Sequence, residues 1–180
     1  MRTGLVSFGQ GLYYCLGGYV VGIAGQWWGM TDVVLVLLIA VLAAILLSGL
    51  LGLLLCRYRD IFFAMLTMAF SMILYGILVK SEHLGSTDGF NIAQASLLGW
   101  QPAQENLGTW VYVLTVLIAC GVLFIMNRYF NSPMGYAGEA IRENEIRVEY
   151  LGISPKLLIY IKYQMAAVLA ALGGALTALT

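Results

Sequence analysis

The sequence is short of charge, of histidine and of cysteine in any useful pattern. Its 180 residues include nine Lys and Arg, nine Asp and Glu, one His, three Cys and three Pro. The net charge is zero, so no electrostatic footprint points to nucleic acid. His83 stands beside Glu82 with no second His or Cys nearby, and reads as a solvated loop residue rather than a ligand or base. Cys15, Cys56 and Cys120 lack CxxC spacing and fall in or at the edge of apolar runs, where a thiol is a small packing group. No HExxH, GxSxG or GxxxxGK[ST] pattern occurs. The sequence therefore predicts no catalytic residues, no metal and no cofactor of its own.

What is present is apolar surface. Hydrophobic residues make up 61% of the chain and the mean hydropathy is +0.88. Charge is absent from Thr3–Thr31, Val33–Cys56, Ile61–Val79, Asn106–Asn127 and Tyr163–Thr180. Each run is long enough to cross a bilayer, and one charge at mid-membrane costs about 2.5–3.5 kcal/mol. The expected fold is an all-α polytopic membrane protein with about five spans, at 4–28, 33–56, 61–80, 108–127 and 157–179. The first run is glycine-rich and has no clear cleavage signature, so it reads as a span rather than a cleaved leader. Alternating spans put Arg2, Arg57, Arg59, Arg128, Arg142, Arg147, Lys156 and Lys162 on one side and leave only Lys80 on the other. Basic residues favour the cytoplasm, which predicts a cytoplasmic N-terminus, an external loop at 81–107 and a cytoplasmic segment at 128–156. Trp27, Trp28, Trp100 and Trp110 then fall near the external interface, as anchors do.

The segment "YAGEAIRENEIRVEYLGISP" (136–155) holds six charged residues, a third of the total. Ser132-Pro133 is a helix start and Gly152 a helix stop, and Ser154-Pro155 repeats the start signal before the last span. Ala137, Ala140, Ile141, Asn144, Val148 and Leu151 recur at helical steps, predicting one amphipathic helix. Glu143 with Arg147 and Glu139 with Arg142 would add about 0.2–0.5 kcal/mol per pair. Such a helix could rest on headgroups or dock on a partner. Its excess of acid over base is unlike a membrane-surface anchor and favours docking.

No ionisable residue lies deep in a span, which weighs against a proton relay or an ion filter. A solute path would use neutral groups, with Ser7, Gln10, Thr67 and Ser71 the candidates by type and depth, although ordinary helix–helix or same-helix bonding explains each as well. Gly18–Gly22 and Gly25–Gly29 have small-xxx-small spacing, and "SFGQG" has the makings of a bent or broken helix.

Four stretches together resemble the branched-chain amino-acid ABC transporter permease family, the LivM-like branch to which urea permeases are related. They are "LVSFGQGLYYCLGGYVVGI" at 5–23, "YRDIFFAMLTMAFSMILYGI" at 58–77, "GSTDGF" at 85–90 and "GEAIRENEIRVEYLGI" at 138–153. The resemblance implies that the cytoplasmic helix couples to an ATPase through Glu139, Ala140, Ile141, Arg142, Glu143, Asn144 and Glu145, with Gly152 at its end. It also implies ATP bound by separate ATPase subunits, a second permease, an extracytoplasmic substrate-binding protein received near Thr87, Asp88 and Gly89, and a bacterial or archaeal plasma membrane. Permeases of this family are longer, so the chain reads as a partial importer domain. The alternatives are a permease for urea or another small neutral solute, and a truncated membrane remnant without transport activity.

Overall fold

A computed structural model describes residues 7–27, 32–58, 60–80 and 107–179. Among them every regular element is an α-helix: α1 (Gln10–Trp27), α2 (Val33–Leu55), α3 (Asp60–Lys80), α4 (Leu107–Phe130), α5 (Pro133–Glu143), α6 (Glu145–Tyr150) and α7 (Pro155–Leu179). α2, α3, α4 and α7 are long and apolar enough to cross a membrane. Helices suit that solvent because all their backbone groups are satisfied within the segment. α1 is shorter at 18 residues, and the described residues Ser7–Gly9 of the expected first span lead into it outside the helix, Phe8 as a bend and Gly9 as a turn.

Three helices make the centre. One buried cluster joins Tyr13 of α1, Leu51 and Leu55 of α2, Phe63 of α3 and Tyr163 of α7. A second joins Val21 and Ala24 of α1, Val33 and Val36 of α2, and Ala175 and Leu176 of α7. The order of these residues shows that α1 and α7 run parallel, with α2 antiparallel to both. The contact surfaces are small-residue stripes. Ala167, Ala171 and Ala175 on α7, and Ala40, Ala44 and Ser48 on α2, are all fully buried. Between apolar helices in lipid, close backbone approach supplies the attraction that hydrophobicity cannot. It is tightest where Gly17 meets the Ala171 carbonyl and Gly174 meets the Tyr14 carbonyl, and a Cβ at either glycine would overlap that backbone. The closest approach thus runs through Gly17 rather than Gly18, where a Cβ would meet the Gly174 carbonyl at an ordinary 3.6 Å. Two side-chain bonds add register: Gln164 Nε2 donates to the Ile45 carbonyl at 3.1 Å, and the Tyr14 and Thr177 hydroxyls lie 2.7 Å apart.

α3 lies against the Tyr13 end of the centre through Phe63, Leu66, Phe70 and Leu74. α4 leans on the opposite end through Leu114 and Ile118 and turns most of its side chains outward. Two adjoining apolar cavities of about 460 and 360 Å³ separate α4 from α7, sharing Val122, Leu169 and Leu172 as walls.

Candidate functional site

The charged segment begins where the sequence places it. Ser132 is extended (φ −88°, ψ 159°), its Oγ accepts from the Gly135 N–H, and Pro133 opens α5. Gly135 packs so tightly on the Tyr129 and Phe130 carbonyls that a Cβ would collide with them, which sets the angle between α4 and α5. At the far end Gly152 adopts φ 79°, its N–H reaches the Glu149 carbonyl, and the Ile153 N–H reaches the Val148 carbonyl. Those are the two bonds of a Schellman stop.

Between these ends the expected single helix is broken, and this corrects the sequence reading. Asn144 is extended (φ −161°, ψ 104°) and serves both neighbours. Its N–H donates to the Ala140 carbonyl to close α5, and its Oδ1 accepts from the Arg147 N–H at 3.2 Å to open α6. The cause is the short amide side chain, which competes with the helical ladder for nearby backbone donors and favours caps over helix interiors. The apolar stripe changes accordingly. Ala137, Ile141 and Val148 are buried together with Leu158 of α7, whereas Ala140, Asn144 and Leu151 are exposed. Glu143 and Arg147 fall on opposite sides of the break and no longer share a helical face.

The result is a two-helix elbow seated on the first turn of α7. Of the residues expected to couple, Glu139, Ala140, Arg142, Glu143 and Asn144 are exposed, Glu145 is half-buried and Ile141 faces inward. Gly152 is exposed at the turn into α7. Ile146 and Tyr150, at 63% and 87% exposure, add apolar surface to the outer side.

The candidate path residues divide. Thr67 is buried and its Oγ1 donates to the Ala64 carbonyl of its own helix at 2.8 Å. Gly9 lies directly on it, since a Cβ there would stand 2.8 Å from the Thr67 carbonyl oxygen. Ser7 Oγ and Gln10 Oε1, on either side of Gly9 in sequence, are buried without a hydrogen-bond partner among the described residues. Ser71 is half-buried one turn further along α3. Thr87, Asp88 and Gly89 lie outside the described residues, as do His83, Trp28 and Trp100. Among the described residues no three His, Cys, Asp or Glu side chains gather as a metal set.

Sequence reasoning missed the aromatic contact at the root of the centre. Tyr13 and Tyr163 bring their hydroxyls to 2.8 Å, and Phe63 meets Tyr163 edge to face at 5.9 Å. Tyrosines inside apolar helices were the available signal, because a buried phenol needs a polar partner. The partner, 150 residues away in sequence, was not readable.

A family model described as the permease component of branched-chain amino acid transport systems matches residues 1–180. Two curated relatives carry the same name, high-affinity branched-chain amino acid transport system permease protein LivM. The Escherichia coli (strain K12) protein is 27% identical over 198 residues and the Salmonella typhimurium (strain LT2) protein 26% identical over 201 residues. Each alignment covers 98% of this chain and 46% of the relative, so the chain spans about half their length. No solved structure matches. The bundle of apolar helices makes this a multi-pass membrane protein, and the match along its whole length means that the chain belongs to the family of branched-chain amino acid transport permease components.

Proposed function

We infer that the chain is a partial transmembrane permease subunit of an ATP-driven importer for branched-chain or related small amino acids, with the α5–α6 elbow as its coupling element. One observation carries this reading. The inner face of the elbow is occupied by Leu158 at the base of α7, which leaves Glu139, Ala140, Arg142 and Glu143 facing outward beside Ile146 and Tyr150. Exposed apolar anchors rimmed by both signs of charge suit a specific protein partner, with the charges setting register. The partner in this scheme is an ATPase subunit whose closure drives alternating access. A second permease completes the pore, and an extracytoplasmic binding protein delivers the solute near Thr87, Asp88 and Gly89. The N-terminus and the elbow are cytoplasmic in a bacterial or archaeal plasma membrane. Ser7 and Gln10, with buried oxygens and no hydrogen-bond partner among the described residues, offer the solute neutral hydrogen-bonding groups. Thr67, beside Gly9, and Ser71, one turn further along α3, are the neutral polar groups of α3 assigned to the same path in this scheme.

The test is capture of coexpressed ATPase subunits by the wild-type permease and by Glu139→Lys/Glu143→Lys. Capture by the wild type and loss in the charge-reversed protein supports the elbow as the docking element. Equal capture by both removes the elbow from the interface. Solute flux without any ATPase would favour passive conduction of a neutral solute such as urea.

A further inference from the structure

The tyrosine pair joins α1 to α7 between the elbow at the base of α7 and the Gly17–Ala171 crossing. Tyr13 is fully buried and Tyr163 is 6% exposed. Their rings cross edge to face with centroids 5.8 Å apart, and each hydroxyl is the other's hydrogen-bond partner. Five residues before Tyr163, Leu158 carries the inner face of the elbow. Three residues before Tyr13, Gln10 holds its buried, unpartnered oxygen. Phe63, edge-on to Tyr163, lies one helical turn before Thr67, which touches Gly9. Tyr163 and Tyr13 thus join α7, whose base carries the elbow, to α1 just beyond the Ser7–Gln10 segment, and Phe63 joins α7 to α3 one turn before the Thr67 that Gly9 approaches.

The glycine crossing gives this chain of contacts a lever. Gly17 against Ala171 and Gly174 against Tyr14 bring the two backbones into their closest approach, so a tilt of α7 about this crossing would displace the residues on either side of it. Tyr13 is one turn from Gly17 and Tyr163 two turns from Ala171, on the elbow side of that crossing. An O–H···O bond survives over only about 2.5–3.0 Å. A tilt of α7 therefore either draws the start of α1 with it or breaks the bond.

We propose that Tyr13 and Tyr163, backed by Phe63, are positioning residues that transmit movement of the α5–α6 elbow to the Ser7–Gln10 segment of the solute path. This rests on the coupling reading above. Intermediacy in space alone does not establish transmission, so the test must separate it from stability. The experiment measures solute moved per ATP hydrolysed by the assembled, reconstituted transporter, together with its thermal stability. Tyr13→Phe and Tyr163→Phe each keep a ring but strand one buried hydroxyl, so each lowers stability and lowers the ratio by about two- to tenfold. The double variant strands nothing and regains stability, because replacing both partners of a buried bond is nearly neutral. Its ratio nonetheless stays low. Gln164→Leu, which removes the bond to the Ile45 carbonyl, loosens α7 at the same height but on its α2 face and leaves the ratio unchanged.

A ratio that recovers with stability in the double variant overturns the proposal, as does a wild-type ratio in both single variants. An equal drop in Gln164→Leu also overturns it, since the effect would then be general loosening. Failure of the proposal in any of these ways leaves ATPase capture intact. A wild-type permease that captures no ATPase removes the coupling reading and this inference with it.

Discussion

α4 and α7 are nearly equal in length, at 24 and 25 residues, and both qualify as membrane spans. Yet 33% of the most apolar stretch of α7 is buried inside the chain against 6% for α4. The difference lies in side-chain size and not in apolarity. α7 offers alanine at every fourth position and Gly174 where Tyr14 crosses, whereas α4 offers Leu117, Leu123, Phe124 and Ile125, all exposed. Their glycines make the same point. A Cβ on Gly174 would strike the Tyr14 backbone, but a Cβ on Gly121 of α4 meets nothing within 4 Å. Lipid tails are as apolar as leucine, so a bulky apolar helix gains little by leaving them, whereas a small-residue stripe gains dispersion contacts that tails cannot supply.

The sharpest way to break this comparison is at the crossing. Gly174→Ala is expected to cost about 3 kcal/mol, the upper end for overpacking, because the obstacle is backbone and cannot rotate away. Thermal unfolding of the purified permease in detergent measures it, and a wild-type midpoint would show that α1 and α7 have room to part.

A smaller effect is expected at the elbow. Asn144→Ala removes the cap of α6 and should cost about 1 kcal/mol, concentrated in α6. Hydrogen exchange of the 145–150 amides should speed up while α7 is unaffected. Unchanged exchange would mean that the Val148–Leu158 contact alone holds α6 in place.

Gln164→Leu should destabilise by only about 0.6 kcal/mol, the usual worth of an interhelical hydrogen bond within a membrane. A shift of the unfolding midpoint comparable to that of Gly174→Ala would make this α2–α7 bond as important to stability as the α1–α7 crossing.

Gly121→Ala is the smallest and most diagnostic change. With open space around it, the substitution should be neutral or should stabilise by up to about 1 kcal/mol through helix propensity. Loss of assembly in the complete transporter would show that the outer face of α4 is covered closely by a neighbour rather than by lipid.

The legible part of the candidate site was its punctuation. Ser132-Pro133 and Gly152 announce the ends of the elbow because capping depends on a few adjacent residues and their backbone angles. The break at Asn144 was hidden because the apolar spacing on both sides still fits one continuous helix. Val148 reaches Leu158 only after the bend, and that contact belongs to α7. The polar candidates behaved likewise. Residue type nominated Ser7, Gln10 and Thr67 together, but only packing separates the back-bonded Thr67 hydroxyl from the unpartnered oxygens of Ser7 and Gln10.

The positions of α2, α3, α4 and α7 were settled by local rules. A charge-free run of about 20 residues has one low-energy state in a bilayer, the helix, whatever its neighbours do. Tertiary structure alone decided which of those helices touch, that Gly17 and not Gly18 marks the crossing, and that Tyr13 finds Tyr163. Hydropathy is summed along one segment and carries no information about a second. Contact depends on the matching of two surfaces, and that matching exists only once both helices are in place.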